Sequence, residues 1–259
     1  MSFWKKYHLA QTVDDALHTL VSAPGDALLI GGGTDLLLDL QQGRHPPVHT
    51  LVDVTEIPEL TALEIRNGEL FVGAGVPHRK IVDSALVHHH AQALTEACGL
   101  IGGPQVRNTA TLGGNVAHAL PAADGTIALM SLDAQAEIAG LSGHRRVPLS
   151  DIFVGPGKNF LEDELIVGFH LALKNADEAS AFKRVMRPQG VAIAILNLGV
   201  WLKRTGDIIA DVRIAVGPSG PTPRRMTQAE TVLSRKHLTE NHISQAFEDI
   251  LEQAKFRTS

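Results

Sequence analysis

The feature that most constrains the fold of this chain is the stretch LIGGGTDLLLDL at residues 29–40, where an apolar run meets three glycines and a leucine-rich segment. This pattern predicts a strand, a tight loop and a helix. Glycines let backbone N–H groups approach a ligand closely, and a helix N-terminus favours an anion, so phosphate is the first candidate ligand. The stretch lacks the third glycine of the dinucleotide fingerprint, where Leu36 stands, and the Gly-Lys-Ser/Thr of the P-loop. A tight turn with Thr34 or Asp35 as helix cap is the alternative without a ligand.

Length, charge and cysteine content narrow the class of protein. The chain has 259 residues, which suits one large domain or two smaller ones, and its net charge of -5 argues against nucleic acid or an anionic membrane as partner. No stretch approaches the roughly 18 apolar residues of a membrane span, and the first residues lack signal-peptide features, so a cytoplasmic location is expected. Cys98 is the only cysteine, which excludes an internal disulfide and a self-contained iron–sulfur cluster.

Hydrophobic periodicity divides the N-terminal two thirds of the chain into two lobes. Up to about residue 56, helices in TVDDALHTLVSA and DLLLDLQQG alternate with strands in DALLI and HTLVDV, which predicts a small α/β lobe. From about residue 57 to 175, helices in ALTEACGLI and TIALMSLDA accompany two hairpins, one turning at Asn67-Gly68 and the other near Gly143. The segment ELIVGFHLAL is predicted to be a strand that leaves this second lobe.

The remainder, residues 176–259, has a different order of elements. Three strand-like runs, SAFKRVM, VAIAILNLGVWLKR and DIIADVRIAVG, precede two helical runs, TQAETVLSR and TENHISQAFEDILEQA. Strands followed by helices predict a separate α+β domain with a three-stranded antiparallel sheet.

A second glycine loop lies in QVRNTATLGGNVAHALPAAD at residues 105–124. Gly113 and Gly114 are expected to donate through the backbone, while the small polar residues Thr111 and Asn115 offer side-chain donors to phosphate or ribityl oxygens. Two such loops, about 80 residues apart in the sequence, can hold a pyrophosphate between two lobes without lysine or metal. A dinucleotide fits this arrangement better than a mononucleotide.

Several motifs occur together, in order, over nearly the whole chain: GGGTDLL at 31–37, QVRNTATLGGN at 105–115, PAAD at 121–124, ELI at 164–166 and FKR at 182–184. With them the chain closely resembles the FAD-binding (medium) subunit of molybdenum hydroxylases, the family of carbon monoxide, xanthine, nicotinate and aldehyde dehydrogenase medium subunits. The resemblance implies an α+β fold: a two-lobed FAD-binding domain of the vanillyl-alcohol-oxidase/PCMH-like type at 1–175, followed by the small C-terminal domain at 176–259.

The resemblance also implies which residues contact the cofactor. Ile101 matches a position where some relatives place an aromatic ring against the isoalloxazine, so an aliphatic group is expected to cover the ring here. The implied FAD contacts are Leu29, Ile30, Gly31, Gly32, Gly33, Thr34, Asp35, Ile101, Thr111, Gly113, Gly114, Asn115, Asp124, Ile166 and Lys183.

Simpler roles compete at some of these positions and at other candidates. Asp35 would repel phosphate, so helix capping is the favoured role, and Lys183 can equally point to solvent. His88, His89 and His90 cannot share one helix face and are expected at a solvated helix end rather than on a metal. His118 follows the second loop and can touch the flavin, whereas Cys98 is expected to be a buried apolar group. No nucleophilic triad or carboxylate pair is found.

The expected function is therefore electron transfer, in which FAD and not a side chain carries the redox chemistry. The resemblance implies a large molybdenum-cofactor subunit and a small [2Fe-2S] subunit as partners, in a dimer of heterotrimers, with electrons passing from the clusters to FAD and then to a final acceptor. Two alternatives remain. One is a flavin-free scaffold or assembly subunit, which the missing aromatic at position 101 and a C-terminal segment shorter than usual permit. The other is a free-standing flavin oxidoreductase.

Overall fold

The first lobe is built on a small parallel sheet. The structure, a computed structural model, describes residues 2–187 and 193–254. Its first elements are β1 (Trp4–Leu9), α1 (Val13–Ser22), β2 (Ala27–Ile30), α2 (Leu36–Gln41) and β3 (Val48–Asp53). Both outer strands run parallel to β3, in the order β1-β3-β2. The prediction omitted β1 because most of its side chains are exposed, which leaves no hydrophobic alternation to detect.

The second lobe surrounds a five-stranded antiparallel sheet with the order β4-β5-β10-β6-β7. Its strands are β4 (Leu63–Arg66), β5 (Glu69–Gly73), β6 (Gln135–Gly140), β7 (Gly143–Pro148), β8 (Phe153–Gly155), β9 (Lys158–Asn159) and β10 (Leu165–Ala172), of which β8 and β9 form a separate pair. Its helices are α3 (Pro58–Thr61), α4 (His78–Asp83), α5 (Ala85–His90), α6 (Gln92–Leu100), α7 (Pro104–Thr109), α8 (Leu112–Ala117) and α9 (Asp124–Ser131), with a 3-10 turn at Leu149–Ile152.

Two sequence predictions for this lobe have different outcomes. The β4–β5 hairpin turns at Asn67 and Gly68, which both have positive φ (53° and 80°), as a two-residue hairpin turn requires. The strand predicted at residues 164–173 is confirmed as β10, the last strand of the lobe before the C-terminal part, but its place at the centre of the sheet was not predicted. Nearly all of its side chains are buried, and a continuous apolar run does not show whether a strand lies at a centre or an exit.

The C-terminal part forms a second antiparallel sheet. Its elements are β11 (Glu178–Val185), β12 (Leu196–Thr205), β13 (Ile208–Gly217), β14 (Arg224–Arg225), α10 (Thr227–Leu233), β15 (Lys236–His237) and α11 (Glu240–Gln253). The three long strands are as predicted, and two two-residue strands, β14 and β15, extend the sheet along β13. Part of the second predicted strand run, residues 191 and 192, lies outside the described residues.

The two faces of this sheet have different neighbours. One face contacts α6 and α9 of the second lobe, with Phe182 fully enclosed in the main core. The other carries an apolar cluster packed with α10 and α11, which includes Ile214, Val216 and Ala246. The glycine at position 199 permits the close approach to α9, because a Cβ there would lie 2.7 Å from Ser131 Oγ. The described residues include no helix long and apolar enough to cross a membrane.

Candidate functional site

The two glycine loops, which the sequence predicted to lie on either side of a pyrophosphate, are in direct contact. A Cβ on Gly32 of the first loop would lie 2.1 Å from the carbonyl oxygen of Thr109 and 2.8 Å from the Cα of Ala110, which directly precede the second loop. Both clashes involve backbone atoms, which cannot move aside as a flexible side chain does. Only glycine at position 32 therefore allows this approach of the first lobe to the second.

Thr111 lies between the loops and organises the second one. It is buried, and its Oγ1 would lie 3.1 Å from a Cβ on Gly31. The same oxygen accepts a hydrogen bond from the Gly114 N–H at 3.1 Å and so caps α8. Thr111 therefore occupies the space left by a glycine of the first loop and fixes the glycines of the second.

Most of the free backbone donors lie in the first loop, and in the second only the Thr111 N–H has no acceptor among the described residues. In the second loop the N–H groups of Leu112 and Gly113 donate to the carbonyls of Val76 (3.1 Å) and Ala74 (2.7 Å), and that of Gly114 donates to Thr111. The prediction that Gly113 and Gly114 donate to a ligand through the backbone is therefore wrong, because the lobe itself uses these donors. In the first loop, the N–H groups of residues 32–35 have no acceptor among the described residues. These N–H groups are the main backbone donors that the two loops offer to an anion.

At Gly114, unlike at Gly113 and Gly33, the packing of the protein itself does not require glycine. A Cβ on Gly113 would lie 2.6 Å from that of Ala74, and Gly33 has φ of 67°. Gly114, by contrast, is exposed, has no positive φ, and would bring a Cβ within 4 Å of a single atom, Thr111 Oγ1 at 3.1 Å. An open surface at this position fits close approach by a ligand such as the phosphate-bearing part of FAD.

The helix that follows the first loop contributes less than the sequence suggested. α2 has only six residues, so few peptide dipoles align behind the loop. Asp35 occupies the N-cap position, but its side chain makes no capping hydrogen bond and is exposed. The expectation that Asp35 caps the helix is therefore wrong, and its carboxylate stays free to face solvent or a ligand.

Asp124 joins the second lobe to the C-terminal domain. It is the first residue of α9 and is buried, where its Oδ2 is 2.5 Å from Nη1 of Arg184 and its Oδ1 accepts from Asn197 at 2.7 Å. Burial raises the pKa of this carboxyl above its usual range, and the bonds from Asn197 and Arg184 oppose that rise. Asn115 supports the same helix, because its Oδ1 accepts from the backbone N–H of Thr126 at 3.1 Å.

The remaining residues implied to contact FAD, Ile101, Ile166 and Lys183, differ in burial and in the element that carries them. Ile101 ends α6 and is half-buried. Ile166 lies in β10 within the main core, so its side chain is committed to packing. Lys183 is exposed, and because neighbouring strand residues point to opposite faces, it lies on the face opposite Arg184 and its partner Asp124. The structure thus does not bring the Lys183 side chain to the Asp124 cluster.

The remaining candidates have structural surroundings of their own. His88 and His89 are exposed at the end of α5, as expected, but His90 is half-buried and its Nδ1 accepts from the Lys174 N–H at 3.1 Å. Within the described ranges no group of three His, Cys, Asp or Glu residues is arranged to hold a metal. Cys98 is buried, which raises the pKa of its thiol and confirms the apolar role expected for it. His118 is half-buried at the end of α8.

Sequence reasoning missed three polar residues at this site. Arg184 and Asn197 hold Asp124, and Arg107 donates from its Nη1 to the carbonyl oxygens of Ile101 and Gly102. Arg184 is adjacent to Lys183 in the FKR motif, and Arg107 belongs to QVRN, so both were within quoted motifs. The sequence did not show toward which neighbouring elements these two side chains point, and that direction decides their contacts.

Two glycine loops in contact, with free backbone donors mainly in the first, and a two-domain α+β fold are the features expected of a dinucleotide-binding protein. Similarity to known protein families narrows this class. The family described as the FAD binding domain in molybdopterin dehydrogenase matches residues 2–172, and the CO dehydrogenase flavoprotein C-terminal domain matches residues 180–259. The chain belongs to this family of FAD-binding medium subunits of molybdenum hydroxylases.

Relatives and solved structures agree with this assignment. The chain is 31% identical over 257 residues to the putative xanthine dehydrogenase FAD-binding subunit of Escherichia coli, covering 98% of this chain and 87% of the relative. It is 32% identical over 244 residues to the alpha subunit of the 6-hydroxypseudooxynicotine dehydrogenase complex of Paenarthrobacter nicotinovorans, covering 93% and 81%. A carbon monoxide dehydrogenase structure from Hydrogenophaga pseudoflava matches with a TM-score of 0.93 and 27% identity, covering 98% and 88%.

Proposed function

We propose that this chain binds one FAD non-covalently between its glycine loops and serves as the electron-transfer flavoprotein of a molybdenum hydroxylase complex. The observation that carries the proposal is the set of N–H groups at residues 32–35 that have no acceptor among the described residues, in a loop that contacts the start of the second glycine loop. When bound, FAD accepts electrons delivered from [2Fe-2S] clusters and passes them to a final acceptor.

The residues of the chain have binding and shielding roles in this proposal. The backbone N–H groups of Gly32, Gly33 and Thr34 hold the pyrophosphate, and the Gly114 surface allows its close approach. Ile101 covers the isoalloxazine with an aliphatic group, so the ring is enclosed without aromatic stacking. Lys183 remains a proposed contact on the strength of the family motif alone.

The other implied contacts fill out the site. Those proposed for the ribityl chain and pyrophosphate are Leu29, Ile30, Gly31, Asp35, Thr111, Gly113 and Asn115, and Asp124 and Ile166 are proposed on the flavin side. For Ile166 the contact is through the backbone, since its side chain is in the core. These roles require no acid or base, because the cofactor carries the chemistry.

The proposed partners are a large molybdenum-cofactor subunit and a small [2Fe-2S] subunit, arranged as a dimer of heterotrimers in the cytoplasm. Support comes from the relatives, which include a carbon monoxide dehydrogenase medium chain from Hydrogenophaga pseudoflava and a nicotinate dehydrogenase FAD-subunit from Eubacterium barkeri. Co-purification of the chain with two such subunits, followed by mass measurement of the intact complex, tests this arrangement. A chain that purifies alone and oxidises a substrate by itself would favour the free-standing oxidoreductase instead.

An absorption spectrum of the purified chain tests the cofactor assignment. FAD, and not FMN, is expected in the supernatant after acid precipitation, since a pyrophosphate site selects the dinucleotide and no His or Cys is assigned to a covalent link. A protein that neither contains nor takes up flavin would favour the scaffold alternative. Flavin that stays with the precipitate would show covalent attachment.

A further inference from the structure

Arg107 fixes the turn that follows α6. Its Nη1 donates to the carbonyl oxygens of Ile101 at 3.1 Å and Gly102 at 2.6 Å. Gly102 has φ of 53°, and a Cβ there would lie 2.6 Å from Cγ1 of Val106. The turn after α6 is thus held on α7 by a charged donor on one side and by packing against Val106 on the other.

The same short helix leads directly into the second glycine loop. The Ala110 N–H donates to Val106 at 2.7 Å, and the Ala110 carbonyl accepts from the N–H of His78 at 3.1 Å. Thr109 and Ala110 then contact Gly32 of the first loop. α7 therefore connects the Ile101 turn rigidly to the place where the two loops meet.

We propose that Arg107 is a positioning residue for the flavin ring, which it serves by fixing the backbone of Ile101. The inference rests on the proposed function, because it requires that Ile101 lie beside the isoalloxazine. Hydrogen bonds from a charged donor are stronger than neutral ones, so one guanidinium nitrogen can hold two carbonyls of a turn that no strand pairs. Without it the turn keeps the 3.4 Å hydrogen bond from the Ile101 N–H to the Cys98 carbonyl and the contact of Gly102 with Val106, and both carbonyls lose their donor.

The phosphate end of the site does not use the Arg107 guanidinium. Thr111 caps α8 through its own hydroxyl oxygen, and the Gly113 N–H is held by Ala74. The free donors of the first loop belong to residues 32–35, on the other lobe. Loss of the Arg107 side chain is therefore expected to disturb the ring end and to leave the phosphate end in place.

The test compares two ligands on the purified full-length chain, because ADP shares the phosphates and adenosine of FAD but lacks the flavin ring. Arg107→Met keeps a flexible stem and removes the donor, so FAD should bind about tenfold or more weakly, with displaced absorption bands of the bound flavin. ADP affinity should stay within about twofold of wild type. Arg107→Lys should recover part of the FAD affinity, since an ammonium also donates to carbonyls.

Arg79→Met is the matched control, because Arg79 is an exposed α4 residue paired with Asp83. It should change neither FAD affinity nor the flavin bands. Unchanged FAD binding and bands in Arg107→Met would overturn the inference while leaving the proposed function intact, and so would an equal loss of FAD and ADP affinity. A wild-type chain that binds no FAD would overturn both. If Arg107→Met does not fold, Arg107→Lys decides: weaker FAD binding with unchanged ADP binding supports the inference, and unchanged binding of both overturns it.

Discussion

Gly114→Ala is the substitution that separates ligand binding from folding most cleanly. Gly114 lies inside α8 with no positive φ, and the added Cβ would meet only Thr111 Oγ1, at 3.1 Å. In a helix interior alanine is favoured over glycine by up to about 1 kcal/mol, which offsets the small shift that the Thr111 contact requires. We therefore expect the free energy of unfolding of the ligand-free variant to lie within about 1 kcal/mol of wild type.

The effect on FAD is expected to be much larger, because the methyl group occupies the surface that the phosphates approach. At an FAD concentration of 100 Kd, binding stabilises the wild type by about 2.7 kcal/mol, which corresponds to a rise in Tm of about 5–10 °C for a chain of this size. If the substitution weakens binding about 100-fold, the same concentration gives the variant only about 0.4 kcal/mol, or roughly 1 °C.

Thermal melting with and without FAD, together with a flavin titration, measures both quantities. Gly99→Ala is the control, because Gly99 also lies in a helix, α6, and its Cβ would make only an ordinary contact of 3.9 Å with Val82. It should gain the same helix stability and keep the full rise in Tm with FAD. Equal stabilisation of Gly114→Ala and wild type by FAD would refute the assignment of Gly114 to the cofactor surface.

Three further predictions follow from side-chain surroundings. Asp35→Ala should leave the Tm of the ligand-free chain unchanged, because the carboxylate makes no capping bond; a loss near 1 kcal/mol by denaturant titration would restore the capping role. Arg184→Met should lower stability by about 3–5 kcal/mol in chemical unfolding, since it leaves the Asp124 carboxylate buried without its cation, whereas a surface-like loss below about 1 kcal/mol would contradict this. Burial and the nearby charge of Arg107 lower the pKa of His78 to about 4, so its contribution to stability is present above pH 6.5 and is lost as the pH falls towards 4. The loss in the free energy of unfolding should amount to about 2 kcal/mol between pH 7 and pH 5. His78→Gln should flatten that part of the stability curve measured by urea unfolding.

The local elements of the fold were predictable because their determinants are local. α1 has Thr12 as its cap and buries Val13, Ala16, Leu17 and Leu20 on one face, which is the helical spacing seen in the sequence. The hairpin at Asn67-Gly68 is fixed by two residues that tolerate positive φ. The position of β10 at the centre of its sheet depends instead on β5 and β6, which are distant in sequence.

The donors of the site illustrate the same limit. Glycine content pointed equally to both loops, but the N–H of Gly113 is taken by Ala74, about 40 residues earlier in the chain. Similarly, alternation shows that Lys183 and Arg184 point to opposite faces of β11, yet only the packing of that strand against the second lobe decides which of them meets Asp124. Motifs therefore pointed to the candidate site, while long-range pairing decides which donors and side chains are free within it.

The junction between the second lobe and the C-terminal domain has a polar centre, formed by Asp124, Arg184 and Asn197. Arg184 and Asn197 both bond to Asp124, yet the Arg184 Nε and the Asn197 Oδ1 are buried without a hydrogen-bond partner in the described structure. An unsatisfied buried polar atom costs about 1–3 kcal/mol, and a buried ion pair adds little net stability to offset this cost. An apolar junction would hold the domains more tightly. The polar cluster instead fixes one relative orientation of the two through directed bonds.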